Sequence, residues 1–543
     1  MKSPVLNSRW VGAVALLVGV AWVGISHSAF AALKLPTIIG DNMVLQRDQD
    51  LKIWGWDDPG QEVAVSFAGQ SVKGKADDKG RWEVTLKPLK TNGEPQQMLV
   101  SGSGGQKITV ANILVGEVWL CSGQSNMAFT LGRSYGGDLE ALTANYPQIR
   151  MVSVPQVGVQ EPQDNFEGKW EACTPEVAAN FSGAGYFFGR MLHQALGVPV
   201  GLIDNAWGGS AAEAWVRRDL LEKDPQFKDL MARWQQIEKT FDFDALMKAY
   251  QPEREKWQAA AKEARAAGKP VPRPPLPPRN QLTGQHRPGN LYNGVLHPVI
   301  GYGMRGAIWY QGESNAARAY EYRSLFPLMI QNWRDEWGQG DFPFYWVQLA
   351  DFKAELDEPA DSDWAELREA QTLTMGKLKN TGEAVIIDVG EGRDIHPRDK
   401  RTVGERLARW ALAKDYGYDK LAHRSPTYQK MEKKGNKVML TFDHVGATGL
   451  YAFDTTEPVG FSIAGPDKKF VWAKGRIVGK NQVEVWSEEV KDPVAVRYAW
   501  SDNPVANMRS YENLPMTPFR TDDFPMVTNP ENAANAANAV KGK

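Results

Sequence analysis

The chain has 543 residues, 42% of them hydrophobic and 24% charged, with 63 Lys and Arg against 65 Asp and Glu. That length predicts about three to four domains of roughly 150 residues each, with enough core to fold without a metal or disulfide as a staple. The even charge balance excludes the strong basic excess of a nucleic-acid binder, and 2 cysteines exclude a disulfide scaffold and a Cys-rich zinc site. The 20 tryptophans suit either sugar stacking or burial in a large α/β core, and burial is the simpler account.

Lys2 and Arg9 precede an apolar run from Trp10 to Ile25, and Ser26-His27-Ser28-Ala29-Phe30-Ala31 follows with small residues at cleavage spacing. This pattern predicts an export signal over 1–31. Its apolar run is shorter than the roughly 20 residues that span a bilayer. No cysteine follows the site to carry a lipid anchor. The expected product is periplasmic or extracellular, with no membrane span after cleavage. In such a compartment Cys121 and Cys173 can oxidise, and spacing leaves their pairing open.

Residues 32–110 read as an N-terminal β domain. Leu51–Trp56, Val63–Phe67 and Trp82–Leu86 are β-branched and aromatic, with Asp-Pro-Gly and Asp-Lys-Gly turns between them. From 111 to 424 the texture becomes strand-helix alternation. Strands are predicted in Val115–Leu120, Ile149–Val154, Val198–Ala206, Arg305–Gln311, Pro343–Ala350 and Ala384–Val389. Helices are predicted in Ala178–Leu196, Tyr320–Trp333, Trp364–Leu378 and Val403–Ala413. This is the signature of an α/β fold, a mainly parallel sheet with helices on both faces, and its ligands bind beyond the carboxyl ends of the strands.

An insertion at about 220–288 interrupts the alternation. Phe227, Leu230, Met231, Trp234, Ile237 and Phe241 have helical spacing. A polar, Ala-rich helix then runs to Ala267, and Pro-rich Lys269–Arg279 must be extended. Residues 425–526 return to β, in Lys437–Phe442, Val483–Trp486 and Val494–Trp500. The Asn/Ala-rich tail 527–543 is expected to be disordered.

Two strand ends carry Gly-x-Ser-Asn: Gly123-Gln124-Ser125-Asn126 and Gly312-Glu313-Ser314-Asn315. Glycine two residues before a serine permits the turn that lifts a nucleophile out of a strand. Neither copy is the Gly-x-Ser-x-Gly elbow of ordinary α/β-hydrolases. A serine nucleophile needs a base. Among the histidines only His396 has a carboxylate close by on a strand-end loop, in Asp394-Ile395-His396-Pro397. Trp207-Gly208-Gly209-Ser210 ends another strand with exposed backbone N–H groups, and Gln311 and Asn315 add amides near the second serine. At the level of spacing, both serines remain candidates, as does a pair of helix-capping turns.

In combination these phrases are specific. Gly116–Met127, Trp309–Asn315 and Asp394–Pro397, with Asn42–Arg47, Pro288–Gly294 and Pro518–Thr521, resemble the sialate O-acetylesterase family of SGNH-type (GDSL-like) carbohydrate esterases from about residue 37 to 525. The resemblance implies a flavodoxin-like SGNH-hydrolase core flanked by small β-sandwich-like modules. It also implies Ser125 as nucleophile, His396 as general base and then acid, and Asp394 as its orienter. The oxyanion donors would be Ser125, Gly208, Gly209 and either Gln311 or Asn315. In many SGNH enzymes the Asp stands three residues before the His, where this chain has Arg393, so Glu391, Asp388 or a backbone carbonyl are alternative orienters. The implied activity is removal of acetyl groups from sugars, sialic acids first and acetylated xylan, pectin or another polysaccharide as the alternative. It uses no metal or organic cofactor, and the partner is an O-acetylated glycan. Two rivals are a glycan-binding module without catalysis and a glycosidase using paired carboxylates such as Glu313 and Asp394.

Overall fold

The computed structural model describes residues 33–531. The signal expected at 1–31 lies outside the described residues, as does most of the tail. Val527 and Thr528, where disorder was expected to begin, donate their N–H groups to Glu366.

Seven strands make the central sheet: β1 (Lys107–Gly123), β2 (Tyr146–Ser153), β3 (Glu171–Cys173), β4 (Val200–Asp204), β5 (Gly306–Tyr310), β6 (Phe344–Val347) and β7 (Thr381–Ala384). Their order is β7-β6-β5-β1-β4-β2-β3, parallel throughout except for the antiparallel edge strand β3. Side chains alternate across each strand. Ala307 and Trp309 of β5 enter one core with Phe344 and Trp346 of β6, whereas Ile308 and Tyr310 enter the other with Tyr345 and Val347. Because both faces are covered, β5 and β6 are buried at every position and read as continuous apolar runs.

The covering helices are α1 (Gly183–Leu196) and α6 (Lys400–Asp415) on one face, and α4 (Ala319–Trp337) and α5 (Asp363–Lys377) on the other. The insertion supplies α2 (Lys228–Thr240) and α3 (Phe243–Ala266). Most of the large tryptophans serve these cores. Trp309 meets Trp215 and Trp333 edge to face at 5.7 and 5.6 Å, contacts worth about 0.5–1.5 kcal/mol each beyond burial.

Two expectations differ. Ala178–Leu196 is two helices, Pro175–Asn180 and α1, because Phe181 is extended and the Ser182 hydroxyl caps α1 by accepting from the Gly185 N–H at 3.0 Å. The run Ala384–Val389 is strand only at its first residue. Val385 and Ile387 are apolar because they pack into the C-terminal β module, while Ile386 faces the sheet core.

The N-terminal module shares β1 with the core. The first half of β1 pairs with Val44–Gln46 and Asn92–Ser101, and its second half with β4 and β5, so the boundary expected at 110 falls inside one strand. Fully buried Glu117 joins the two modules, bonded to Arg47, Arg305, Gln46 and Tyr416. The C-terminal module has two four-stranded antiparallel sheets. Both cysteines are free and buried.

Candidate active site

Residues just beyond the carboxyl ends of β1, β2 and β4 line one cavity. At the end of β1, Gly123 has φ +134°, and a Cβ there would stand 2.2 Å from the Tyr310 carbonyl oxygen. Only glycine fits, and the turn it makes sets Ser125 at the first position of the short helix Ser125–Ala128. The cavity, of about 410 Å³, is lined by Ser125, Phe129, Arg133, Trp207, Gly208 and His396 among others.

Ser125 Oγ lies 2.9 Å from His396 Nε2, and Asp394 Oδ1 lies 3.0 Å from His396 Nδ1. The same carboxylate oxygen accepts the His396 backbone N–H at 2.9 Å. That bond, then the ring itself, holds the Asp394 carboxyl below the usual carboxylate range. Asp394 therefore stays ionised through any ordinary assay pH, and its small stabilising effect is lost only as pH falls through its lowered folded value. With the Asp394 side chain more than half exposed, the stability effect is slight and the orienting effect is what matters. Of the alternative orienters, Asp388 is bonded to Arg406 and Glu391 to Arg398. Phe129 stacks on the imidazole at 6.1 Å between ring centroids.

Of the expected oxyanion donors, Ser125 and Gly208 share the cavity. A Cβ on Gly208 would be 3.4 Å from the Ser125 Cβ, so the two backbones run side by side. Neither N–H donates to another protein group among the described residues. The other three sit differently. Gly209 turns its carbonyl away, to accept from Ser314 Oγ at 3.0 Å and from His286 Nε2 at 2.7 Å. Gln311 is fully buried and donates to the Ser210 carbonyl and to Asn315 Oδ1, while Asn315 donates to Glu213. Their amides support the turn from beneath and do not line the cavity. Glu313, the carboxylate of the glycosidase rival, accepts from Asn126 with one oxygen, and its other oxygen is buried.

A cluster that sequence reasoning missed lies under Ser125. Asn126 Oδ1 accepts from Lys400 Nζ at 2.7 Å, and Asn126 Nδ2 donates to Glu313 Oε1 at 2.6 Å and to the Ile395 carbonyl at 3.0 Å. One side chain thus ties the residue after Ser125 to the residue before His396. Asn126 was visible beside the serine, but nothing local marks Lys400. Burial raises the Glu313 pKa and pushes the Lys400 ammonium down to about 7.

The Lys400 shift has a consequence for stability. Folded Lys400 sheds its proton at about pH 7 and unfolded lysine only near ~10.4, so between these values the unfolded chain holds the extra proton and stability rises with pH. Lys400→Met removes that slope. In thermal melts the Tm of the variant, relative to wild type, should be higher at about pH 6 than at about pH 9. An offset equal at both values contradicts the buried, proton-shedding lysine.

Fold and site together define a carboxylic ester hydrolase on an α/β core, and the comparisons with known proteins agree. The family model for carbohydrate esterases described as sialic acid-specific acetylesterase matches residues 115–265 and 286–413, and the chain belongs to that family. It is 31% identical to the mouse sialate O-acetylesterase over 458 residues, covering 77% of this chain and 80% of the relative. It is 30% identical to the human sialate O-acetylesterase over 462 residues, covering 77% and 78%. The crystal structure of a carbohydrate acetylesterase from Xanthomonas citri superposes with a TM-score of 0.75 at 37% identity, covering 91% of this chain and all of that one. No helix among the described residues is long and apolar enough to cross a membrane, and no group of three or more His, Cys, Asp or Glu is placed to hold a metal ion.

Proposed function

We propose that the chain is an exported O-acetylesterase that removes acetyl groups from sialic acids by a Ser125-His396-Asp394 acyl-enzyme mechanism. The observation that carries the mechanism is the unbroken line of hydrogen-bond contacts from Ser125 Oγ through the imidazole to Asp394. Ser125 attacks the acetyl carbonyl while His396 Nε2 takes the hydroxyl proton, and Asp394 stabilises the imidazolium and holds the tautomer. The developing oxyanion meets the Ser125 and Gly208 N–H groups, neither of which donates to another protein group among the described residues. Collapse of the tetrahedral intermediate breaks the bond to the sugar oxygen, and His396 returns the proton to that oxygen. Water, deprotonated by His396, then attacks the acetyl-Ser125 ester and releases acetate.

Sialic acid as the acetylated sugar is supported by the family description and by the two curated relatives. The test is acetate release from O-acetylated sialic acid beside acetylated xylan, at matched acetyl concentration. A kcat/KM higher on the sialic acid supports this substrate. A higher value on xylan moves the substrate to plant polysaccharide and leaves the mechanism standing.

A further inference from the structure

A second cavity, of about 520 Å³, adjoins the catalytic one: Arg279 and Gln285 line both. The insertion builds it. Leu246 of α3, 42% exposed, offers the cavity an aliphatic surface suited to the C–H face of a sugar ring, backed by the buried Trp234 of α2. Arg279 ends the Pro-rich strap, which is held against α3 where Trp257 Nε1 donates to the Pro272 carbonyl at 2.8 Å and Tyr250 OH to that of Pro275 at 3.1 Å. Prolines leave the strap few conformations, so Arg279 is delivered to the junction of the cavities at little entropic cost.

The charge of this cavity is informative. Its one carboxylate, Glu213, is bonded to Arg318 and Asn315. Arg279 forms no hydrogen bond or ion pair among the described residues; Arg233 forms none either but feels the Glu321 carboxylate at longer range, and Arg133 in the catalytic cavity lies over the Phe129 ring within reach of the Asp394 charge. Three guanidinium groups, Arg233, Arg279 and Arg318, thus line the cavity against the single Glu213 carboxylate, and a guanidinium in excess can bind an incoming carboxylate in bidentate fashion. A site for neutral sugars has no need of this surplus.

We propose that the insertion forms a second subsite, which takes a carboxylate-bearing sugar linked to the acetylated one. The proposal rests on the esterase reading of the first cavity and extends it from a single sugar to an acidic glycan. The subsite also touches the chemistry. Gln285 and His286, which line it, donate to the Gly208 and Gly209 carbonyls, so the sugar seats against the segment that presents the Gly208 N–H.

The test has a kinetic arm and a binding arm, with sialic and uronic acids as the two sources of the same carboxylate chemistry. In the first, wild type and Arg233→Glu are assayed on p-nitrophenyl acetate, O-acetylated disialic acid, O-acetylated oligogalacturonate and O-acetylated xylo-oligosaccharide. The ratio of kcat/KM on an acidic glycan to that on p-nitrophenyl acetate is expected to fall at least about tenfold in the variant at low salt, with most of the difference erased at high salt. The ratio for the neutral xylo-oligosaccharide stays put, and the acidic glycan that responds names the source. In the second arm, Ser125→Ala and Ser125→Ala/Leu246→Trp chains are titrated calorimetrically with unacetylated disialic acid and digalacturonate, and the filled cavity weakens binding by about tenfold or more. Unchanged ratios, an equal fall on the neutral glycan, or undiminished binding overturns the subsite. Failure of wild type to cleave any acetyl ester overturns the esterase reading, and the binding arm still decides the subsite.

Discussion

Ser125→Ala is expected to lower kcat for acetyl-ester hydrolysis by about 10⁴–10⁶-fold, with KM little changed and the fold intact. Alanine keeps the helix and the Gly123 turn but removes the hydroxyl that lies 2.9 Å from His396 Nε2. What then remains is the activity that oxyanion donors and binding supply without a nucleophile. Ser314, which carries the same Gly-x-Ser-Asn text, is the built-in control. Its hydroxyl donates to the Gly209 carbonyl at the back of the turn, so Ser314→Ala is expected to cost less than about tenfold. Side-by-side single-turnover assays of the two variants decide the matter. A Ser125→Ala chain that retains more than a hundredth of wild-type kcat, or a Ser314→Ala chain that is the deader of the two, removes Ser125 as nucleophile.

Asn126→Ala is expected to have the next largest effect. Asn126 does not line the cavity, and its part is positional: it is 1% exposed and bonds Lys400, Glu313 and the Ile395 carbonyl at once. Without it the loop bearing His396 loses its tie to the loop bearing Ser125. A displacement on the order of 1 Å between reacting groups costs about 10²-fold. The expected result is a fall in kcat of about that size with KM nearly constant, and a stability loss of about 1–3 kcal/mol from the buried groups left unpartnered. Asn126→Asp separates position from packing. It keeps the shape but sets a carboxylate against that of Glu313, so its kcat relative to wild type at the same pH should recover on acidification as one of the two carboxyls takes up a proton. If Asn126→Ala falls no more than threefold in kcat while its melting temperature drops, the side chain is structural and the tie between loops is unimportant to the chemistry.

Both predictions begin from residues that are adjacent in sequence, and the reach of sequence reasoning follows that line. The continuous apolar run of β5, the helical spacing of the insertion and the glycine two positions before Ser125 are local features, so they were legible in the text. The same locality explains the misreadings. Val385 and Ile387 look like strand because apolar residues at alternate positions look alike whether they face a ladder partner or a neighbouring module. Gln311 and Asn315 look like oxyanion donors because they sit near a serine. The structure turns them toward Ser210, Glu213 and each other.

The sequence by itself determined the α/β class, the β modules at both ends, the Gly123–Ser125 turn and the short Asp394–His396 loop, because each depends on contacts within a few residues. Only the tertiary structure decided which distant groups share a volume. The strand order β5-β1-β4 brings Gly208 beside Ser125 and leaves Ser314 behind the turn. Packing of α6 carries Lys400 across 274 residues to Asn126. The strap places Arg279 between two cavities without a carboxylate bonded to it. Charge, pairing and reach at a site are sums over everything buried together, and no spacing along the chain contains that sum.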